Sequence, residues 1–348
     1  MKGKRDMRPT IAVTMGDPVG IGPEIIVKAM ARNRLSRFCT PVVVGDPFRL
    51  EAAAKCVGFS PNIRMVSRPG EAPDEKTGIT VIPASRLHSK KLTWGKPTRS
   101  TAAAAVRYIT TAVDLVQRGD AAAMVTCPVH KRAFRLTGLP FAGHTELIAE
   151  RTGSSNFVMM MAGNRLKVAL ATIHVPLGEV LSLLTPERVF RTIRITAEGL
   201  MERFGIASPC IGIAGLNPHA GENGRFGDEE KQILIPAVRR ALRAGYRVEG
   251  PYPPDTVFYR ALKGAFHAVI AMYHDQGLIP FKLIHFTDGV NTTLGLPLIR
   301  TSVDHGTAYD IAGTGIADPG SLVAAVRMAA DQANHRHRSL RKKPTPLH

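Results

Sequence analysis

Residues 10–24, TIAVTMGDPVGIGPE, decide the fold. Thr10 to Met15 is a β-rich run, Gly16 to Glu24 is a loop rich in glycine and proline, and a helical pattern follows through about Leu35. Pro23 suits a first helical position, where its missing N–H leaves no hydrogen bond unmade. A strand, a glycine loop and a helix in that order open an α/β unit. Such a loop can cradle phosphate, because free backbone N–H groups and the helix dipole face it. Yet Gly20-Ile21-Gly22 is followed by Pro23-Glu24-Ile25, so the third glycine of GxGxxG is missing and there is no Rossmann fingerprint. A tight turn packed against the sheet reads the same residues equally well, and both readings stand at this point.

The alternation continues outward. Thr40 to Val44, Ile79 to Ile82 and Ala121 to Thr126 read as strands, and Thr98 to Arg118 as a long Ala-rich helix closed by Gly119. Leu166 to Ile173 and Pro209 to Leu216 are further apolar strands. Thr185-Pro186-Glu187 starts a helix that ends near Gly205, and Asp228 is the expected cap of a helix after the loop 217–230. Strands alternating with helices imply a largely parallel sheet with helices on its faces, and ligands then gather beyond the carboxyl ends of the strands.

A chain of 348 residues with 44% hydrophobic content can bury a large core and should hold two domains. Its longest uncharged apolar runs fall far short of the roughly 20 residues that span a bilayer. The basic start lacks an apolar leader segment, so a soluble, cytoplasmic protein is expected. Cys39, Cys56, Cys127 and Cys210 are scattered without a CxxC pair, which argues against disulfides and a thiolate zinc site. The net charge of +18 concentrates in residues 1–8, 86–99 and 335–343, with no interleaved aromatics. That pattern reads as solvated ends, partly disordered, on an electropositive surface that attracts anionic metabolites, and a nucleic-acid role is not expected.

The densest chemistry lies in 271–305, AMYHDQGLIPFKLIHFTDGVNTTLGLPLIRTSVDH. An apolar run ends at His274 and Asp275; Lys282, Asn291 and Arg300 follow at intervals that suit an anionic ligand. In FAGHTELIAERTG (141–153), Thr145 can cap a helix while His144 faces a ligand. GPYPPDT (250–256) carries Asp255 on a proline-rich turn. His174, His219 and His274 each follow an apolar strand. A histidine at a strand end is commonly structural, but three at the edge of one sheet can hold a divalent metal and leave positions open for substrate.

Six ordered motifs carry a resemblance: MGDPVGIGPE, GHTELIAE, ATIHVPLGE, GLNPHAGENGRFGDEE, GPYPPDT and YHDQG through GVNTTLGLPLIRTSVDHGTA. Over about residues 8–332 the chain resembles the 4-hydroxythreonine-4-phosphate dehydrogenase family of vitamin B6 biosynthesis. The resemblance implies His174, His219 and His274 as ligands of one divalent metal (Zn, Mg or Co), and His144, Thr145, Lys282, Asn291 and Arg300 as contacts of a phosphorylated small-molecule substrate. It also implies a homodimer with its active site at the subunit interface. DHGTAYDIAGTGIADPGSL (304–322) is similar to the adenosine-binding segment of isocitrate and isopropylmalate dehydrogenases, which lack the Rossmann fingerprint. By that likeness His305, Gly306, Thr307 and Asp318 are candidates for contacting NAD or NADP, the alternative being a turn and helix cap before Pro319. The implied architecture is α/β, with two α/β/α lobes and a central cleft: residues 1–138 with 300–334, residues 139–299, and a basic tail at 335–348.

The chemistry so implied is oxidation of the C3 hydroxyl of 4-phosphooxy-L-threonine, then decarboxylation to 3-amino-2-oxopropyl phosphate. Asp275 and Asp255 are the candidate proton acceptors, unranked by the sequence. Rival readings are a dehydrogenase of erythronate or threonate 4-phosphate, a metal-dependent hydrolase using the same histidines, and a nucleic-acid-binding protein.

Overall fold

The structure, a computed structural model, describes residues 8–31, 35–71, 78–87, 92–141 and 143–342. Parts of the basic stretches noted above, at 1–7, 88–91 and 343–348, lie outside the described residues. The chain divides into two compact units, Met1–Ser155 with Leu296–Asn334, and Asn156–Gly295 with His335–His348.

The first unit holds β1 (Thr10–Thr14), β2 (Thr40–Gly45), β3 (Ile63–Met65), β4 (Ile79–Pro83) and β5 (Ala123–Thr126). The second holds β6 (Val158–Ala162), β7 (Lys167–Leu170), β8 (Cys210–Ala214), β9 (Arg247–Tyr252), β10 (Ala268–Ala271) and β11 (Val290–Leu294). The chain then returns to the first unit with β12 (Arg300–Val303). Strand order in the first unit is β3-β4-β2-β1-β5-β12, parallel throughout. The continuous apolar strands follow from this, since a strand inside a parallel sheet is covered on both faces; four of the five residues of β1 are buried.

In the second unit the order is β11-β6-β7-β10-β8-β9. Strands β7, β10, β8 and β9 run parallel, while β6 is antiparallel to both β7 and β11. The sequence expectation of a largely parallel sheet thus holds for most strands and misses these two pairings. The β6–β7 connection is short enough to be a hairpin, and Gly163 N–H donates to the Leu166 carbonyl across it (2.9 Å).

Local signals act as expected at most termini. Thr98 and Thr101 form a reciprocal capping box for the helix Arg99–Gln117. Thr185 caps the helix Pro186–Phe204 through Arg188 N–H, and Gly205 closes it at φ 69°. The loop 16–24 makes a sharp turn under steric constraint. Gly16 has φ 72°, and a Cβ there would stand 2.5 Å from the Pro128 carbonyl oxygen.

The units divide at 155/156 and 295/296, where 138/139 and 299/300 were expected, and the part of the expected tail that is described is helical. The first unit extends to Ser155 rather than 138, because the helix His144–Arg151 packs on Arg99–Gln117, with an Arg151–Asp114 ion pair at 2.6 Å. Residues 335–342 of the expected basic tail are the last turns of the helix Gly320–Lys342; His335 packs against Gly205, and Arg336 Nε pairs with Glu202 Oε1 at 3.0 Å. All four cysteines are free. No helix of the described residues is long and apolar enough to cross a membrane.

Candidate active site

In the second unit two histidines meet because their strands are neighbours. Beyond the ends of β7 and β10 the pairing continues: Ala171 N–H donates to Ala271 O (2.9 Å), and Thr172 donates to Met272 O through its N–H (3.2 Å) and its hydroxyl (2.7 Å). This zipper carries His174 and His274 to one place, with ring centroids 5.6 Å apart. Both line a cavity of about 240 Å³ with Ile173, Val175, Leu177, Val180, Tyr273 and Asp275. His274 Nδ1 lies 2.7 Å from Asp275 Oδ1. With the proton on Nδ1, that carboxylate fixes the ring and leaves Nε2 as a lone-pair donor, the usual support of a metal-binding imidazole.

His219 arrives differently. After β8 the residues Pro218–Gly224 form a turn in which His219, Ala220, Gly221, Glu222 and Asn223 all have positive φ. Glu230, 3% exposed, holds this turn. Its Oε1 accepts from Leu216 and Asn217 N–H (2.8 Å each), and its Oε2 from Asn217 Nδ2 (3.0 Å). Gln276 braces the strand ends, accepting from Met272 N–H and donating to Gly215 O, both at 2.7 Å. Neither Glu230 nor Gln276 stood out in the sequence; the glutamate three residues after Gly227 was the available signal. Asp228, expected as a cap, directly precedes the helix and accepts from Gln232 N–H through its carbonyl (2.8 Å), while its side chain pairs with Lys231 at 3.5 Å. Among the described residues, no three His, Cys, Asp or Glu side chains stand close enough to hold one ion. The chain brings His174 and His274 together and leaves His219 outside that pair.

Asp255 is exposed in the first turn of the helix Pro254–Leu262, which lies against the turn carrying His219. Lys282 is half-buried in the last turn of the helix His274–Ile284. Asn291, on β11, has a buried Oδ1 that no described residue satisfies.

In the first unit Arg300 is the opening residue of β12, beside β5, and is 3% exposed. Its Nη2 donates to Thr126 Oγ1 (2.9 Å) and its Nη1 to Thr145 Oγ1 (3.5 Å), at the start of the helix His144–Arg151. Burial lowers the guanidinium to about 10, against the pull of Glu146, so it stays charged. His144 is lowered to about 3, chiefly by burial and further by Arg300, against a hydrogen bond to the Cys127 backbone. A neutral imidazole with a buried Nε2 that has no partner thus sits next to a buried cation. A buried polar atom left open costs about 1–3 kcal/mol, and a ligand hydroxyl or anion removes that cost.

The segment after β12 carries the candidate cofactor residues. His305 Nδ1 is 3.1 Å from Gly306 O, and its Nε2 is buried without a partner. Gly306 is exposed with open space around it, whereas Thr307 is buried and its carbonyl accepts from Ile21 N–H (3.1 Å). Asp318 Oδ1 accepts from Gly320 N–H (2.6 Å) where the helix Gly320–Lys342 begins. That bond favours the turn-and-cap reading of Asp318.

The loop 16–24 resolves to a tight turn. Its N–H groups are already taken up by the protein: Val19 donates to Asp17 Oδ1 and Gly20 to Asp17 O within the loop, and Asp17 donates to Pro128 O and Ile21 to Thr307 O outside it. Two carboxylates, Asp17 and Glu24, lie fully buried in this motif, where negative charge would oppose a phosphate.

These features define an α/β protein with histidine-lined and cationic sites at strand ends. The model of the pyridoxal phosphate biosynthetic protein PdxA family matches residues 37–329, and the chain belongs to that family. It is 54% identical over 328 residues to a 4-hydroxythreonine-4-phosphate dehydrogenase of Desulfosudis oleivorans, covering 94% of this chain and 96% of that protein. It is 46% identical to a D-threonate 4-phosphate dehydrogenase of Cupriavidus necator, covering 95% and 99%. A crystal structure of 4-hydroxythreonine-4-phosphate dehydrogenase from Klebsiella pneumoniae superimposes with a TM-score of 0.87 at 42% identity, covering 95% and 99%. As a dehydrogenase of this family, the protein works with a nicotinamide cofactor.

Proposed function

We propose that this enzyme oxidises the C3 hydroxyl of 4-phosphooxy-L-threonine with NAD or NADP and releases CO2 to give 3-amino-2-oxopropyl phosphate. The observation that carries this reading is the buried Arg300 beside a neutral His144 whose Nε2 is open. A charged guanidinium binds a phosphate or carboxylate through its planar fork, and the open imidazole nitrogen takes up a hydroxyl. Thr145 fixes the fork, and Lys282 and Asn291, whose Oδ1 is open, are further candidates for contacting charged and polar groups of a substrate.

His174, His219 and His274 would hold one divalent ion, Zn, Mg or Co, and the paired imidazoles of His174 and His274 on one cavity wall fit such an ion. When bound, the ion supplies a Lewis acid for the charge that develops on the C3 oxygen. Asp275 orients His274, which leaves Asp255, beside the His219 turn, as the better placed acceptor of the hydroxyl proton. His305, Gly306 and Thr307 take the dinucleotide.

The enzyme is a cytoplasmic homodimer in this reading. Ile279, Leu283 and Phe286 are 62%, 84% and 78% exposed along and just after the helix His274–Ile284, an apolar row that a second copy would cover. That copy would also complete the histidine set that one chain leaves open.

The second reading, threonate 4-phosphate as substrate, is favoured by the 46% identity to the Cupriavidus enzyme; the 54% identity to the Desulfosudis enzyme favours the threonine compound. Both phosphates should be assayed with NAD and with NADP, with and without chelator, following absorbance at 340 nm. Turnover of 4-phosphooxy-L-threonine that chelator abolishes and metal restores is the expected result. Turnover of threonate 4-phosphate alone would select the second reading.

A further inference from the structure

The backbone and side chains of the motif at 16–28 converge on one neighbour. Five backbone or side-chain groups between residues 307 and 317 are gripped from this one motif. Ile21 N–H donates to Thr307 O at 3.1 Å, and Tyr309 hydroxyl donates to Asp17 Oδ2 at 2.5 Å. Glu24 lies fully buried in the first turn of the helix Gly22–Ala31; its Oε1 accepts from Gly313 N–H and its Oε2 from Gly315 N–H, the latter at 2.9 Å. One turn further along, Lys28 Nζ donates to Ala317 O at 2.7 Å. Contact is close enough at Gly20 that a Cβ would stand 3.1 Å from Thr307 O.

We propose that Glu24, with Lys28, is a positioning residue for the dinucleotide: it fixes the 313–317 turn so that the 305–307 end of the same segment presents a rigid surface to the cofactor. This deepens the reading above and rests on its placement of NAD or NADP at His305 to Thr307. The Gly313 and Gly315 N–H groups sit in a turn where glycine takes φ 84° and 75°. Such a turn samples many backbone conformations unless something holds it. A carboxylate accepting two N–H bonds in a buried setting is a strong local clamp, since hydrogen bonds to a charged group are about twice as strong as neutral ones. Because Glu24 uses those N–H groups itself, they are not the cofactor's contacts. The cofactor would feel the clamp through the preorganisation of the segment.

The test is cofactor affinity in the full-length enzyme. NAD and NADP are titrated separately by the quenching of protein fluorescence, and KM for dinucleotide and for phosphorylated substrate are measured beside it. Glu24→Gln keeps size and one acceptor but loses the second bond and the charge. It should weaken the preferred dinucleotide by about tenfold, with kcat at saturating cofactor and KM for the phosphorylated substrate within about twofold, the signature of lost binding common to ground and transition states. Lys28→Met keeps the aliphatic stem, leaves the buried carboxylate in place, and should weaken it about threefold. If Glu24→Gln fails to fold, the Lys28 variant decides. Unchanged cofactor affinity in the folded variant, or equal losses in kcat and both KM values, overturns the proposal in favour of a purely structural role. His305→Ala separates this from the parent reading. Weaker dinucleotide binding there but not in the Glu24 and Lys28 variants refutes the clamp alone. No weakening in any of the three means the cofactor sits elsewhere, and both readings fall.

Discussion

His174 and His274 leave the ends of two neighbouring parallel strands, whereas His219 sits in a turn of left-handed backbone, and the two settings are stabilised by different means. The first pair needs only sheet register: three hydrogen bonds beyond β7 and β10 put the imidazoles side by side. The His219 turn contains four non-glycine residues at positive φ, each disfavoured by about 1–2 kcal/mol. It persists because Glu230, a buried carboxylate, accepts three hydrogen bonds from Leu216 and Asn217. A strand end is thus a self-positioned site. A strained turn is positioned by a distant side chain, and it is the more easily displaced.

The largest expected effect removes a ligand outright. His274→Ala should lose both metal and activity, because two imidazoles hold a catalytic ion weakly against buffer; occupancy should drop to about a tenth or less by elemental analysis. His219→Ala should do the same, because the three-histidine reading needs every ligand. Full occupancy in His219→Ala, with loss in His274→Ala, would restrict the metal to the strand-end histidines and break the three-histidine reading.

Next comes Arg300, another strand-terminal residue, which tests whether the cationic site binds phosphate. Arg300→Ala removes a charge-assisted contact worth about 1.5–3 kcal/mol. The kcat/KM for the phosphorylated substrate should fall by about ten- to a hundredfold. Non-phosphorylated 4-hydroxythreonine, already poor, should lose much less. Equal losses on both would mean that Arg300 grips the carboxylate or supports Thr126 and Thr145, and Lys282 would become the phosphate contact.

Those two settings also explain what the sequence revealed. Periodicity and punctuation sufficed where structure is local or regular. The helix expected at 98–118 is observed at Arg99–Gln117, and the Thr185 start and Gly205 stop fall where their cap chemistry puts them. Strand-end histidines were legible for the same reason, since an apolar run followed by His is a local pattern. Glu230 was not legible as the clamp of a turn, because its partners, Leu216 and Asn217, are identified only once the chain has folded back. Likewise nothing in VMMMA (158–162) or VNTTL (290–294) announces an antiparallel pairing, which depends on which edge of the sheet is free. The motif 16–24 offered a phosphate cradle and a tight turn on equal terms. Two buried carboxylates decided between them, and burial is a tertiary property.

A smaller effect sharpens the contrast between the settings. Glu230→Gln keeps the shape but leaves two backbone N–H groups sharing one neutral acceptor. The His219 turn should loosen, and metal affinity, read by competition with a chelator of known strength, should weaken by about tenfold, the lower end for residues that orient metal ligands. Gln276→Leu should act in the same direction through the brace between Met272 and Gly215. An unchanged affinity in Glu230→Gln would show that the turn holds itself and that strain is not offset from Glu230.

The smallest effect concerns residues 335–342, read from composition as a solvated tail and found as the last turns of the helix Gly320–Lys342. Here charge composition misled because it counts cations without asking what lies opposite them. Arg336 faces Glu202 at 3.0 Å, and the His335 ring lies on Gly205, which has no side chain to exclude it. The ion pair is partly exposed, with the two side chains 34% and 45% accessible, so it contributes about 1 kcal/mol or less. Truncation after Asn334 should therefore lower the melting temperature by about 2–4 °C at most, with kcat/KM unchanged, because neither residue touches the candidate site. A melting temperature identical to the parent's would return these residues to the dispensable tail that the sequence suggested. A fall in kcat/KM without loss of stability would instead mean that the helix end reaches the reaction, as is proposed for the strand-end histidines.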